Sequence, residues 1–278
     1  MKIGITADST CDIPKELREK NNIDIIPFGV MLGDDLRHDG INVTPQDLYD
    51  YADKSKELPK TSAINEVEYE ELFSRKLKEY DALIHFCLSS EISSACSNAK
   101  RAAEKFENVY VIDTKSLSSG SGLLVLSCAD KIKEGKDIET ILKEINEEVP
   151  KVQASFLIDT LKYLHKGGRC SGVEKIGAKL FSIKPRISLI DGKMEVTKKY
   201  MGSISSCLVK YCKDMLKEVE PNKDRAFVTY SSPVEPAREI IVNMLKEYGF
   251  KEVIECSACS TICTHCGPKT LGVLYIAK

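Results

Sequence analysis

Short apolar runs that stop at hydroxyl-rich turns, each followed by a helix-like stretch, constrain this chain more than any other feature. Lys2 to Thr6 runs into Asp8-Ser9-Thr10, and Ala82 to Cys87 runs into Ser89-Ser90-Glu91-Ile92-Ser93. Val109 to Ile112 stops at Asp113-Thr114. Between these runs lie helix signals. Asp12 is placed to cap a helix from Pro14 to Lys20, and Thr44 one opened by Pro45. Asn65 and Glu68 make a capping-box pattern before Tyr69, Leu72 and Phe73. Further helices are expected from about Ser93 to Phe106 and from Gly120 to Ile132, and Asp24 to Val30 reads as one strand. Strand–helix alternation of this kind predicts an α/β fold whose parallel sheet carries helices on both faces. Its ligand crevice lies beyond the carboxyl ends of the strands, where the hydroxyl turns sit. Hydroxyls and free N–H groups at helix starts can hold an anion without a metal. The pattern favours binding an acidic ligand over transforming it.

The pattern changes after Pro150. A charged helix from Ile138 to Val149 precedes it, and Asp191-Gly192 then marks a hairpin between Ile187–Ile190 and Met194–Thr197. We therefore expect an α/β N-terminal domain over residues 1–150 and a mixed α+β domain over 151–278. A chain of 278 residues accommodates two such cores. Its formal net charge of -2 gives no bulk electrostatic case for a nucleic-acid partner. No apolar run of about eighteen residues suggests a membrane span. The opening Met1-Lys2-Ile3-Gly4-Ile5 enters a strand pattern at once and lacks signal-peptide features. The expected location is cytoplasmic.

Eleven cysteines, an odd count without an export signal, read mainly as reduced thiols. Cys87, Cys96, Cys128 and Cys207 fall in apolar patterns, where a free thiol packs as a small hydrophobe. Cys256, Cys259, Cys263 and Cys266 form a C-x2-C-x3-C-x2-C run beside His265. Such pairs can bind zinc or an iron–sulfur cluster, which makes a metal or redox protein one alternative. Zinc knuckles usually have a longer spacer, and the competing reading is a turn with buried thiols. A serine hydrolase is the other alternative, with Ser93 and His265 paired and Asp8 or Asp113 as orienter. Neither serine loop has the G-x-S-x-G elbow of that class.

In chain order, Asp8-Ser9-Thr10-Cys11-Asp12-Ile13-Pro14, Thr61-Ser62, Ser89 to Ser93, Val111-Ile112-Asp113-Thr114, Leu161 to Arg169, Ile183-Lys184-Pro185 and His265-Cys266-Gly267-Pro268 resemble the motif set of the DegV family, whose members bind fatty acids. The stretch Leu161-Lys162-Tyr163-Leu164-His165-Lys166-Gly167-Gly168-Arg169 is the most specific match. The resemblance implies a two-domain fold with a lipid between the domains. It places the carboxylate near Thr61 and Ser93, and the acyl chain in the C-terminal domain. It implies no catalytic residue and no cofactor. It also implies a partner, a separate fatty acid kinase to which some members present the acyl group. Kinase-linked members carry an arginine where Met201 stands here.

The residues themselves leave choices open. Thr61, Ser62 and Ser93 can each donate a hydrogen bond to a carboxylate, or serve as turn and cap hydroxyls. Arg169, after Gly167-Gly168, suits either a ligand anion or a structural ion pair. His265 suits the ligand head, or is a turn histidine outside any helix. Asp8 reads as a structural acceptor for the first turn. Phe156, Leu157, Ile158, Leu161, Leu164, Ile176, Leu180, Phe181, Ile183, Ile187 and Leu189 could line an acyl tunnel or make an ordinary core.

Overall fold

A computed structural model describes residues 1–171 and 183–278. Strands Ile3–Asp8, Ile23–Ile26, Ala82–Cys87 and Val109–Asp113 form an all-parallel sheet, with Ile3–Asp8 and Ala82–Cys87 in its centre. Every residue of Ala82–Cys87 is buried, as a strand covered on both faces requires. Strand alternation sorts its side chains. Leu83 and Cys87 join a core with the Glu66–Lys76 and Ala95–Ala103 helices. Ile84 and Phe86 face the Ser119–Lys133 and Ile138–Glu148 helices. The expected capping box forms at Asn65 with Glu68, and the expected Thr44 cap is itself part of a box with Asp47.

Two expectations for the first half need correction. Asp24 to Val30 is two strands, Ile23–Ile26 and Gly29–Leu32, because Pro27 has no N–H to continue the ladder. Gly29–Leu32 pairs antiparallel with Asp35–His38 and with Lys60–Ser62 in a separate three-stranded sheet. The two-residue turn at Gly33-Asp34 closes its hairpin. Asp12 does not cap the first helix, which begins at Lys15 after Pro14. Its carboxylate instead accepts hydrogen bonds from Ser118 Oγ and the Cys259 N–H.

Among the described residues, all strands from Val152 onward form one eight-stranded mixed sheet. The hairpin at Asp191-Gly192 joins longer strands than expected, Ile183–Ile190 and Lys193–Met201. Val228, Val273 and Tyr275 face the Ile204–Glu218 and Ala237–Tyr248 helices. Phe227 and Leu274, one residue along, share the core of the Ser119–Lys133 helix. That helix lies between the two sheets. Among the described residues, no helix is long and apolar enough to cross a membrane.

Candidate functional site

A cavity of about 470 Å³ opens between the halves, within the roughly 300–1,000 Å³ usual for ligand pockets. The Ser260–Cys266 helix forms one wall. Thr261, Ile262, His265 and Cys266 recur at helical spacing along it and line the cavity, as does Ala258 just before it. Residues of the first half fix the start of this helix. Asp39 accepts the Ser260 and Thr261 N–H groups at 2.9 and 3.2 Å, and Asp12 accepts that of Cys259 at 2.8 Å. These carboxylates satisfy donors that have no partner within the helix.

His265 therefore lies in the last turn of a helix, not in an irregular turn. Gly267 follows as the cap that ends it. The imidazole Nε2 is 2.9 Å from Thr61 Oγ1, across 204 positions of sequence. Burial, and secondly the Arg169 charge, push the His265 pKa down to about 4, so the ring is neutral at pH 7. Its buried Nδ1 has no hydrogen-bond partner. A ring proton on Nδ1 would be stranded, whereas one on Nε2 is donated to Thr61 Oγ1. The second tautomer leaves the Thr61 hydroxyl proton free to donate into the cavity. Gly167 makes the ring position possible, since a Cβ there would sit 2.5 Å from His265 Nδ1.

Strand alternation divides the Thr61-Ser62 pair. Thr61 pairs with Val30 and lines the cavity, while Ser62 pairs with Gly29 and is exposed. The structure does not bring Ser62 to the cavity with the other candidates. Ser93 does line it. Its Oγ accepts the Ala95 N–H at 3.2 Å, which leaves the hydroxyl proton available. The helix that follows is shorter than expected, Ala95–Ala103, with Ser94 at its cap position. Arg169 is exposed at the cavity and donates to the Gly167 carbonyl at 2.7 Å. Among the described residues it makes no ion pair with a carboxylate.

The remaining wall is largely apolar. Phe156 and Leu164 contribute, as do Phe28, Ile262, Met194 and Leu274, which the sequence did not single out for the tunnel. Leu157, Ile158 and Ile187 are solid core and are not among the lining residues. Ile176, Leu180 and Phe181 lie outside the described residues. At the rim, the Asp191-Gly192 turn reaches the serine loop. Ser89 Oγ donates to the Gly192 carbonyl at 2.8 Å, and Glu91 pairs with Lys115 and Lys193. The signal for this contact was the glycine, whose φ is +82°.

The alternative chemistries find other geometry. Asp8 accepts from Tyr69 Oη at 2.7 Å and from the Leu88 N–H at 2.8 Å, a structural role beneath the serine loop. Asp113 accepts the Ser90 and Lys115 N–H groups. The His265 ring pairs with Thr61, so neither aspartate orients it. The C-terminal cysteines do not converge on one point, although Cys263 and Cys266 lie side by side. Cys256 Sγ contacts Thr229 Oγ1, Cys263 Sγ the Ala258 carbonyl and Cys266 Sγ the Gly267 carbonyl. Burial raises the thiol pKa of Cys256, Cys259 and Cys263.

The family model described as "Uncharacterised protein, DegV family" matches residues 2–278. The chain belongs to the DegV family. Protein DegV of Bacillus subtilis is 30% identical over 282 residues, covering all of both chains. Among solved structures, a DegV family protein from Thermus thermophilus, reported for its fatty acid binding, superposes with a TM-score of 0.92 at 26% identity. The fatty acid binding protein DegV of Bacillus subtilis superposes with a TM-score of 0.84 at 30% identity. Each alignment covers the whole of both chains. The two-domain DegV-like α/β architecture follows from this likeness.

Proposed function

We propose that the chain binds one long-chain fatty acid, with its carboxylate at Thr61 and Ser93 and its tail along the apolar wall of the cavity. The observation that carries this reading is one cavity in which Thr61, Ser93, His265 and Arg169 meet Phe28, Phe156, Leu164 and Leu274. The fatty acid binding of the Thermus and Bacillus relatives supports it. A fatty acid enters ionised at neutral pH, so its buried head needs donors. Thr61 and Ser93 each have a hydroxyl proton to give. The tail supplies the affinity, since each buried CH₂ contributes about 0.8 kcal/mol and about sixteen carbons roughly 10 kcal/mol before ordering costs. Calorimetric titration of delipidated protein should show saturation at one lipid per chain. Failure of every long-chain fatty acid to saturate it would overturn the proposal.

The finer reading is presentation of the bound carboxylate to a separate kinase, which forms an acyl phosphate. Arg169 supports it as an exposed cation beside the head-group end. Met201, 75% exposed, offers no charge where kinase-linked members carry arginine. The competing role is a carrier without a kinase. With an active cognate kinase, ATP and fatty acid, the presenting protein supports transfer of phosphate to lipid. Arg169→Ala lowers that transfer at unchanged lipid affinity. No transfer favours the carrier.

A further inference from the structure

We propose that Asp8, His85 and Cys87, completed by Cys96, form a structural zinc site in the core of the N-terminal sheet. Asp8 ends one central strand, and His85 and Cys87 lie on the strand paired beside it. Their donor atoms all fall within 4.8 Å of one another. The three side chains are buried, as is Cys96, which shares the core cluster of Cys87. Those three offer one imidazole nitrogen, one carboxylate oxygen and one sulfur; Cys96, outside that set, would bring the second sulfur. Four donors of this softness and number suit tetrahedral zinc better than magnesium or calcium, which prefer oxygen.

The histidine carries the second, independent observation. His85 Nε2 is buried and has no hydrogen-bond partner, although Asp8 Oδ1 is only 3.3 Å away. The two atoms are close but not aligned as donor and acceptor. Two ligand atoms about 2.0 Å from a tetrahedral zinc stand roughly 3.3 Å apart, so this separation is that of two corners of a coordination tetrahedron. The other ring nitrogen is already engaged, with Nδ1 2.8 Å from Thr6 Oγ1. A donor or acceptor on the far nitrogen fixes the ring of a metal-bound histidine in the same way. Asp8 is held likewise by Tyr69 Oη and the Leu88 N–H, and each carboxylate oxygen keeps a further lone pair.

Zinc binding deprotonates the two thiols, and the protons leave to solvent. A site this enclosed is filled as the domain folds. Its effect would be to clamp the ends of the two central strands under the Leu88–Ser93 loop, whose first amide Asp8 already holds. The inference does not depend on which lipid is bound.

The test measures metal in the untagged full-length protein, purified from zinc-supplied cells without a metal-affinity column. Elemental mass spectrometry should find about one zinc per chain, as a closed structural site retains. His85→Gln and Cys87→Ser should each lose it, while Cys259→Ser retains it. A second measurement covers variants that fail to fold. Unfolded wild-type protein, refolded with Co²⁺, should develop thiolate-to-cobalt charge-transfer absorption and a higher thermal midpoint than protein refolded with chelator. Wild-type protein without zinc, with the same midpoint after either refolding, overturns the proposal. So does zinc that survives in both His85→Gln and Cys87→Ser.

Discussion

Gly167→Ala tests the head-group geometry without touching a hydrogen-bonding group. The new Cβ would lie 2.5 Å from His265 Nδ1, about an ångström inside ordinary contact. The ring is the softer partner and must turn away. An ångström of movement takes Nε2 beyond hydrogen-bond reach of Thr61 Oγ1, from its present 2.9 Å. Thr61 then loses the donor that holds its hydroxyl in one orientation toward the ligand. The expected cost is that of disturbing one buried bond to a charged group, about 1.5–3 kcal/mol, or roughly 10- to 150-fold in Kd. Gly167 ends a short helix, where alanine is a better helix former by up to about 1 kcal/mol. Thermal stability should therefore hold while affinity falls. Calorimetric titration with a saturated C16 acid measures the first change, and His265→Ala in the same background checks the route. If Gly167→Ala binds the acid as tightly as wild type, or if His265→Ala costs as much again in the Gly167→Ala background, the Gly167–His265–Thr61 relay is wrong.

Thr61→Val and Ser93→Ala should each weaken binding by about 1–3 kcal/mol, with non-additive losses if both meet one carboxylate. A methyl ester should bind more weakly than the free acid, and titration of the four proteins with both ligands reads this. The His265 pKa of about 4 lies below the ordinary 6.5, so on acidification the unfolded chain takes up the proton first. Wild-type stability should fall from pH 6.5 toward 4 more steeply than that of His265→Gln in denaturant titrations. Asp12 acts with the opposite sign, because burial raises its pKa to about 7 and the native state binds the extra proton. Its contribution is lost as pH rises through 7, and Asp12→Asn should flatten that limb of the stability profile. Gly192→Val, with φ at +82° and a Cβ 2.6 Å from Ser89 Oγ, should part the turn from the serine loop. Stopped-flow displacement should then show faster lipid release.

The parallel sheet and its helices were legible because each rests on local signals. The Ala82 to Cys87 run, the Thr44 cap, the Asn65–Glu68 capping box and the Asp191-Gly192 turn all formed. The small antiparallel sheet was missed: Gly33-Asp34 is a hairpin signal, but the stretch after it, Asp35-Leu36-Arg37-His38, is mostly polar. That omission concealed the strand character of Lys60–Ser62, and with it the alternation that turns Thr61 inward and Ser62 outward. Thr61, Ser93, Arg169 and His265 do share one cavity. Their bonding was not legible, since the Thr61–His265 contact joins residues 204 positions apart. The same holds for Asp12, a local cap by sequence, whose real partners are Ser118 and Cys259.

The position of the Ser119–Lys133 helix bears on how the protein can be divided. Eleven of its fifteen residues are buried, because a sheet lies on either side. A fragment ending near Pro150 would keep the helix but expose the flank that meets Phe227 and Leu274. A fragment beginning there would leave that sheet face uncovered. Neither piece would be well behaved in water alone, and a protease cut near Pro150 should yield two chains that stay together until denatured. The change of pattern at Pro150 separates two sheets in chain order, while the Ser119–Lys133 helix packs against both.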